Sequence, residues 1–494
     1  MQYSFPDSGH SESNLCRMER SKRFMTSNML YGEAMPGSGF IIHNGVKIMN
    51  NEKTSSIIHQ PRFNGIFEEG EKFERKIKLT DSFHINNALL LLKESLDKNA
   101  GGSFITKLEK EISSYIGVPY AIATNSGASA MHLAIKLAAR KVYGTDGLTG
   151  KRVFCSDLCQ VEMAMPILHE CGIPTFIDVD DFDFNMSPEC LEKAFTFYPD
   201  TKIVTVNHIY GYPAQIEKIK EICHEHGAIL IEDASESFGA KIDGRCTGSF
   251  GDIAVLDFGK DKLLHADNGG MVITKEYDDA MQIRKLLGED LASLPWQWRE
   301  IETFEYKMSE LSAAILLPQI KEIDSQIFRK KEIYKCYAEN LNEELIYPIS
   351  PYENTEPNYW MIPVMCDSSI EAHEVRTRDG YSYEDIHGTT SPMEIVDALN
   401  AFGAEVVPAY MAMSMQDVFR DCELITTEEK VSYLNPHEED KRFFRSEVSR
   451  DVSKGAVCLP MDISITDEEQ QRIVEVVHSC FDKRDIWRMA LQGD

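Results

Sequence analysis

The chain has 494 residues, 43% hydrophobic and 27% charged, a composition that suits a folded protein of two or three domains and excludes a disordered or fibrous one. Eighty acidic against 51 basic side chains leave a net charge of −29, which speaks against general binding of nucleic acid or an anionic membrane. Twelve cysteines are sparse for this length, no run of 18 apolar residues could span a bilayer, and the polar N-terminus holds no apolar signal core, so a reduced, cytoplasmic protein is expected.

Residues 1–80 mix Met, Ser, Asn, Gly and charged residues without sustained periodicity and read as a poorly structured extension. One hairpin is expected there around Asn44–Gly45, a pair suited to a tight turn. From residue 81 the pattern changes. NNALLLLKESL and ITKLEKEISSYIG have helical spacing, the second ending on a Gly stop. Short apolar runs then alternate with amphipathic helices. YAIAT, RVFCS, PTFIDVD, KIVTVNH and AILIED are predicted strands, with AMHLAIKLAARKVYG, VEMAMPILHECG and PAQIEKIKEICHEHG among the helices between them. This alternation predicts an α/β fold with a mainly parallel sheet covered on both faces, and ligands bind such sheets at the strands' carboxyl ends.

A large domain is expected over residues 81–325 and a smaller α+β domain over 326–494, joined by one or two long helices starting at Ser309. Residues 367–390 and 424–450 are polar and read as surface insertions. The nearest cysteines, Cys155 and Cys159, form a lone CxxxC, too little for zinc, and no metal site is expected.

Three segments carry candidate chemistry. Thr124–Ile135, TNSGASAMHLAI, is a strand leading into a helix through small residues whose backbone N–H groups could meet an anion. A tight turn with an N-cap would look the same. Ile229–Ala240, ILIEDASESFGA, ends a buried strand on Asp233, which could face a positive partner or cap a following helix. Gly248–Thr274 holds two strands around a polar turn with Lys260 and Lys262; a lysine there could form a Schiff base or be simply solvated.

In this order the segments resemble the DegT/DnrJ/StrS family of pyridoxal-phosphate sugar aminotransferases. The resemblance spans roughly residues 85–480, including PTFIDVDDFDFNMSPECLEKA, VNHIYGYPAQIEKIKEICHEHG, YKMSELSAAILLPQIKEID and CLPMDISITDEE. It implies an aspartate-aminotransferase-like large domain (PLP fold type I), a small C-terminal domain and a homodimer. It implies pyridoxal 5'-phosphate held as a Schiff base on Lys262, seven residues before the first of two glycines, Gly269, so that Lys260 is not the match. Asp233 would keep the ring nitrogen protonated. Glu236 stands where the family usually has a Gln near the phenolic oxygen. Ser126, Gly127 and Ala128 match the phosphate turn, with Ala replacing the usual Thr.

The chain departs from the family at several places. Asp257 replaces a phosphate-binding Ser, and Glu305 replaces an Asn that reaches the neighbouring subunit's phosphate. Asp267–Asn268 stand in the G-E-G-G motif, and no aromatic falls at Gln160 or Val161 to stack on the ring. At ~4 Å and an effective dielectric of ~20, each carboxylate facing the phosphate would be opposed by about 4 kcal/mol. Compensation by Lys260 or Lys307 is one expectation. The activity implied is transfer of an amino group from an amino acid, with glutamate expected, to a keto-sugar, nucleotide-linked, or a related cyclitol. Dehydratase relatives carry His in place of the lysine, which Lys262 argues against. The alternative from another class is a catalytically degenerate paralogue serving as a binding or regulatory subunit.

Overall fold

The computed structural model describes residues 40–43, 46–49, 73, 75–80, 91, 93, 103–289, 301–342, 346–366, 371–377, 380–387, 392–427, 430–432 and 447–482. Residues 1–66 and 67–494 form separate units. In the first, β1 (Phe40–His43) and β2 (Val46–Met49) pair antiparallel with His43 opposite Val46, as the Asn-Gly turn predicts. The predicted helix NNALLLLKESL lies almost wholly outside the described residues.

The second unit is built on one large sheet. In chain order its first elements are α1 (Phe104–Ile116), β3 (Tyr120–Thr124), α2 (Gly127–Tyr143), β4 (Arg152–Ser156), α3 (Val161–His169), β5 (Ile173–Ile177), α4 (Pro188–Phe197), β6 (Ile203–Asn207), α5 (Ile216–Glu225) and β7 (Ile229–Asp233). Then follow β8 (Ile253–Asp257), β9 (Gly270–Thr274) and α6 (Tyr277–Leu286). The order β5-β4-β6-β7-β8 is parallel throughout, and β9 and β3 close that side antiparallel.

Both faces are covered, and the period of two along each strand shows it. Val153, Ile203 and Ile231 join the core under α2, α3 and α6, whereas their chain neighbours Phe154, Val204 and Leu230 join the core under α4 and α5. α2 is the central helix. Small residues Ala130, Ala134 and Ala138 let it lie close to the sheet, and each fully buried Leu or Ile, such as Leu133 or Ile135, contributes about 1.5–3 kcal/mol. Ser126 caps its start, and Gly144, at φ 66°, ends it in the left-handed region.

The linking helices are α7 (Glu310–Leu316) and α8 (Ile323–Asn340). The C-terminal part holds β10 (Ile346–Pro348), β11 (Ile362–Cys366), α9 (Pro392–Phe402), β12 (Val407–Pro408), α10 (Val448–Gly455), β15 (Ala456–Leu459) and α11 (Asp467–Asp482). Its sheet runs β10-β11-β15-β12, all antiparallel, so an α+β layer is present as predicted. Residues 75–80 run along this part, with Ile77 bridging Ala404 and Arg75 paired to Glu469 at 2.7 Å.

The segment predicted as a surface insertion over 424–450 departs from expectation at its start. β13 (Glu423–Ile425) joins the large sheet parallel to β5, with Leu424 and Ile425 fully buried, and β14 (Lys430–Ser432) pairs beside it. Glu423 fastens the edge by bonding Arg152 at 2.9 Å, Lys430 at 3.2 Å and the Tyr198 hydroxyl. A three-residue strand is too short to show alternation in sequence.

One buried carboxylate sets the entrance to β8. Glu232 on β7 has no exposure and accepts N–H groups from Gly248, Phe250 and Gly251 at 2.5, 2.8 and 2.7 Å, besides contacting His208 Nε2 at 2.9 Å. Burial alone would raise its pKa, yet His208 and these amides hold it below the ordinary glutamate value. A depressed folded pKa means stability that is present above the unfolded value and lost as pH falls through the folded one. Glu232→Ala should therefore cost about 3 kcal/mol or more at neutral pH, read from urea unfolding, with the penalty shrinking in acid. A neutral-pH loss under about 1 kcal/mol would show that the amides do not depend on the charge.

Candidate functional site

The parallel register brings three strand ends together. Asn207 of β6 lies opposite Asp233 of β7, and Asp233 opposite Val255 of β8, two residues before Asp257. The N-terminus of α2 points to the same end. The end of β8, the start of α2 and the loop after β4 bound a cavity of about 550 Å³ whose lining includes Ser126, Gly127, Ala128, Gln160, Asp257 and Tyr410.

Lys262 comes from the loop between β8 and β9. Its side chain is 1% exposed, against 79% for Lys260, which pairs with Asp267 at 2.9 Å on the surface. The two lysines of the turn are thereby separated: Lys262 is interior, and Lys260 does not neutralise Asp257. The Lys262 ammonium lies 4.4 Å over the Trp360 ring and 3.5 Å from Asp261. Burial alone would lower its pKa, but Glu236, Asp261, Asp257 and Asp233 together hold it above the ordinary lysine value.

Asp233 does not cap a helix. Residues 234–240 form a turn, and Oδ1 accepts only the local Ser235 N–H at 2.9 Å among described amides. Its carboxylate borders a narrow cleft shared with Gly127, Gln160 and Asp257. Burial raises its pKa against the Ser235 bonds and Lys262. Glu236 is buried, and burial pushes its carboxyl up to about 7, although Lys262 and the Tyr210 N–H, which it accepts at 2.6 Å, pull the other way. The Tyr210 backbone takes φ 55° to make that bond, and Asn358 supports the turn from below by donating to the Glu236 carbonyl at 2.8 Å.

The turn at α2 is built for close approach. Ser126 Oγ accepts the Ser129 N–H at 3.1 Å, and Gly127 N–H donates to Asp257 Oδ1 at 3.1 Å. A Cβ on Gly127 would fall 2.5 Å from Asp257 Cβ, so only glycine fits. Glu305 stands apart from this group. It is exposed, and its backbone carbonyl accepts Asn125 Nδ2 at 3.4 Å.

Tyr410 was not legible in the sequence. Its hydroxyl accepts Gln160 Nε2 at 2.9 Å, and its ring stacks on Tyr210 with centroids 5.0 Å apart. Thus the wall at Gln160, which carries no aromatic of its own, receives one from 250 residues away. The following turn is pinned by Asp157, which accepts the Ser414 N–H at 2.7 Å and the Ser414 and Ser449 hydroxyls at 2.8 and 2.6 Å. Trp360 is held by its Nε1–H to the Asp261 carbonyl at 2.6 Å. No short-range motif marks either aromatic. Among the described residues, no group of three His, Cys, Asp or Glu could hold a metal ion, and no helix is long and apolar enough to cross a membrane.

The model of the DegT/DnrJ/EryC1/StrS aminotransferase family matches residues 84–379, more than half of the chain. GDP-perosamine synthase of Escherichia coli O157:H7 is 30% identical over 292 residues, 58% of this chain and 76% of that protein. L-glutamine:2-deoxy-scyllo-inosose aminotransferase of Streptoalloteichus tenebrarius is 29% identical over 230 residues, 44% of this chain and 52% of that one. Among solved structures, Helicobacter pylori PseC, an aminotransferase involved in the biosynthesis of pseudoaminic acid, superposes with a TM-score of 0.67 at 15% identity over 83% of this chain and 100% of that one, which establishes the shared fold. The chain belongs to the DegT/DnrJ/EryC1/StrS aminotransferase family of pyridoxal-phosphate-dependent enzymes.

Proposed function

We propose that Lys262 and Asp233 anchor pyridoxal phosphate at the carboxyl ends of the parallel strands, beside the cavity at the start of α2. There the enzyme would move an amino group from an amino acid, glutamate first, to the keto group of a nucleotide-linked sugar or a related cyclitol. The observation that carries this reading is the interior Lys262 amine, grouped with Asp233 and Glu236 where three parallel strands end. The names of two relatives, a synthase of GDP-perosamine and an aminotransferase acting on 2-deoxy-scyllo-inosose, support the acceptor class. In this reading the chain acts as a cytoplasmic homodimer, as the family resemblance implies, with Glu305 directed at the partner's cofactor phosphate.

The donor set fits the cofactor at two ends. A primary amine is present for its aldehyde, and a carboxylate is present for its ring nitrogen. When bound, the cofactor supplies an aldehyde that accepts an amino group and a ring that accepts electrons from the substrate's Cα. Asp233 would hold a proton on the ring nitrogen, which a charged carboxylate in a cleft does better than a neutral amide. Lys262 Nζ would take the proton from Cα and return it on the other side of the transfer, and its burial keeps competing water away. Glu236, tied to the Tyr210 N–H, would steady the loop at the phenolic oxygen. Ser126, Gly127 and Ala128 would hold the phosphate at the positive end of α2. One observation favours the alternative of a degenerate binding or regulatory paralogue: the Gly127 N–H is already bonded to Asp257.

Two outcomes test this reading. Lys262→Ala should abolish release of 2-oxoglutarate from glutamate by the cofactor-loaded protein, Lys260→Ala should not, and Asp233→Asn should slow it by orders of magnitude while circular dichroism stays unchanged. Glutamine serves as the second donor. Persistent release in Lys262→Ala would remove the assignment.

The other outcome concerns pH. Glu236, with its carboxyl near 7, is charged at pH 8 and favours the ammonium form of Lys262, whereas at pH 6 it is mostly neutral. Glu236→Gln should therefore speed attachment of pyridoxal to Lys262 several-fold at pH 8 and little at pH 6, read by borohydride trapping. Equal acceleration at both pH values would show that the Glu236 charge is not what holds the proton.

A further inference from the structure

The cavity carries an anion of its own at the place where an anionic cofactor group would sit. Asp257 closes β8, and its Oδ1 accepts the Gly127 N–H, the first amide of α2. A helix leaves its first N–H groups without intrahelical partners, at the positive end of its dipole, and phosphates are held there. The 2.5 Å that a Gly127 Cβ would leave to Asp257 Cβ shows that this carboxylate sits directly on the seat. Ser126 Oγ, the nearest hydroxyl, is engaged with the Ser129 N–H. The described lining of the cavity includes Glu162, Asp257 and Asp261 and no Lys, Arg or His.

We propose that Asp257 is an intramolecular competitor for the cofactor phosphate: its carboxylate occupies the anion seat at the start of α2, and phosphate enters that seat as Asp257 takes up a proton. The proposal rests on the reading of Lys262 and α2 as the two anchors of the cofactor. The groups facing Asp257 are Lys262, which stabilises its charge together with the Gly127 N–H, and Asp233 and Asp261, which oppose it. Burial dominates and moves the carboxyl above its ordinary value, the direction that favours its neutral form when a second anion approaches. The phosphate's own charge pushes the same way once it arrives. Affinity for phosphorylated ligands should therefore fall as pH rises, whereas pyridoxal, which lacks the phosphate, meets Asp257 only through its charge effect on Lys262.

The test titrates the full-length apoprotein with inorganic phosphate by calorimetry and with pyridoxal phosphate and pyridoxal by absorbance, from pH 6 to 9. Asp257→Ser clears the seat and offers a hydroxyl. Asp257→Asn keeps the shape and the acceptor for Gly127 while removing the charge, which keeps the test decisive if the serine variant folds poorly. Both should tighten phosphate and pyridoxal phosphate by about tenfold or more at pH 8 and flatten the pH dependence, with the gain for pyridoxal, which reports only the effect of Asp257 on Lys262, well below that for pyridoxal phosphate. Unchanged or weaker phosphate binding in both variants would overturn the proposal. Phosphate binding does not involve the Lys262 amine, so the two ideas fail separately. If pyridoxal attaches to none of the proteins, the Lys262 reading falls, and the phosphate titration still decides the role of Asp257.

Discussion

A charged amine cannot be taken out of water unless opposite charge goes with it, and Lys262 is an amine with a side chain 1% exposed. Its compensation comes from Asp233, Glu236, Asp257 and Asp261. Three of these acids are themselves fixed by a backbone amide: Asp233 by Ser235, Glu236 by Tyr210 and Asp257 by Gly127. Each amide holds its carboxylate in place and leaves charge over for the lysine. The ring of Trp360 closes the remaining side. The arrangement is a nest of anions assembled around one cation, and the raised pKa of the lysine follows from it.

The nest needs the sheet. Asp233 and Asp257 are the last residues of adjacent parallel strands, and a parallel register puts both ends on the same edge of the sheet, beside a helix N-terminus. The C-terminal part then completes the wall. Asp157, at the end of β4, binds the turn at Ser414 and the start of α10, and this fixes Tyr410 beside Gln160. Burial lifts the Asp157 carboxyl to about 6, so this clamp, like the nest, relies on hydrogen bonds to offset lost hydration. The same crowding of carboxylates that suits a buried ammonium is unfavourable to a phosphate, and Asp257 is where the two demands meet.

Much of the large domain was legible because long alternating segments have one explanation: strands apolar on both sides must be parallel and covered. Lys262 and Asp233 were named from the ordered motifs of the family resemblance, and the structure places Lys262 in the interior and Lys260 on the surface. Asp257 was visible as an acid where a hydroxyl was expected, but its bond to Gly127 depends on a separation of 130 residues that no local pattern encodes. Tyr410 and Trp360 were illegible for the same reason. β13 was illegible because a three-residue parallel edge strand has neither turn nor alternation to announce it. Glu305 was named from the resemblance, and its side chain is not among those that line the cavity of its own chain.

The central claim is that Lys262, and not the neighbouring Lys260, is the residue that takes the cofactor. Treating the full-length protein with saturating pyridoxal phosphate, reducing with borohydride and sequencing the peptide that spans both lysines by mass spectrometry tests it most directly. The account predicts a single pyridoxyl-phosphate mass increment on Lys262, lost in Lys262→Ala and retained in Lys260→Ala. An increment on Lys260, or spread over exposed lysines with Lys262 unmodified, would contradict it.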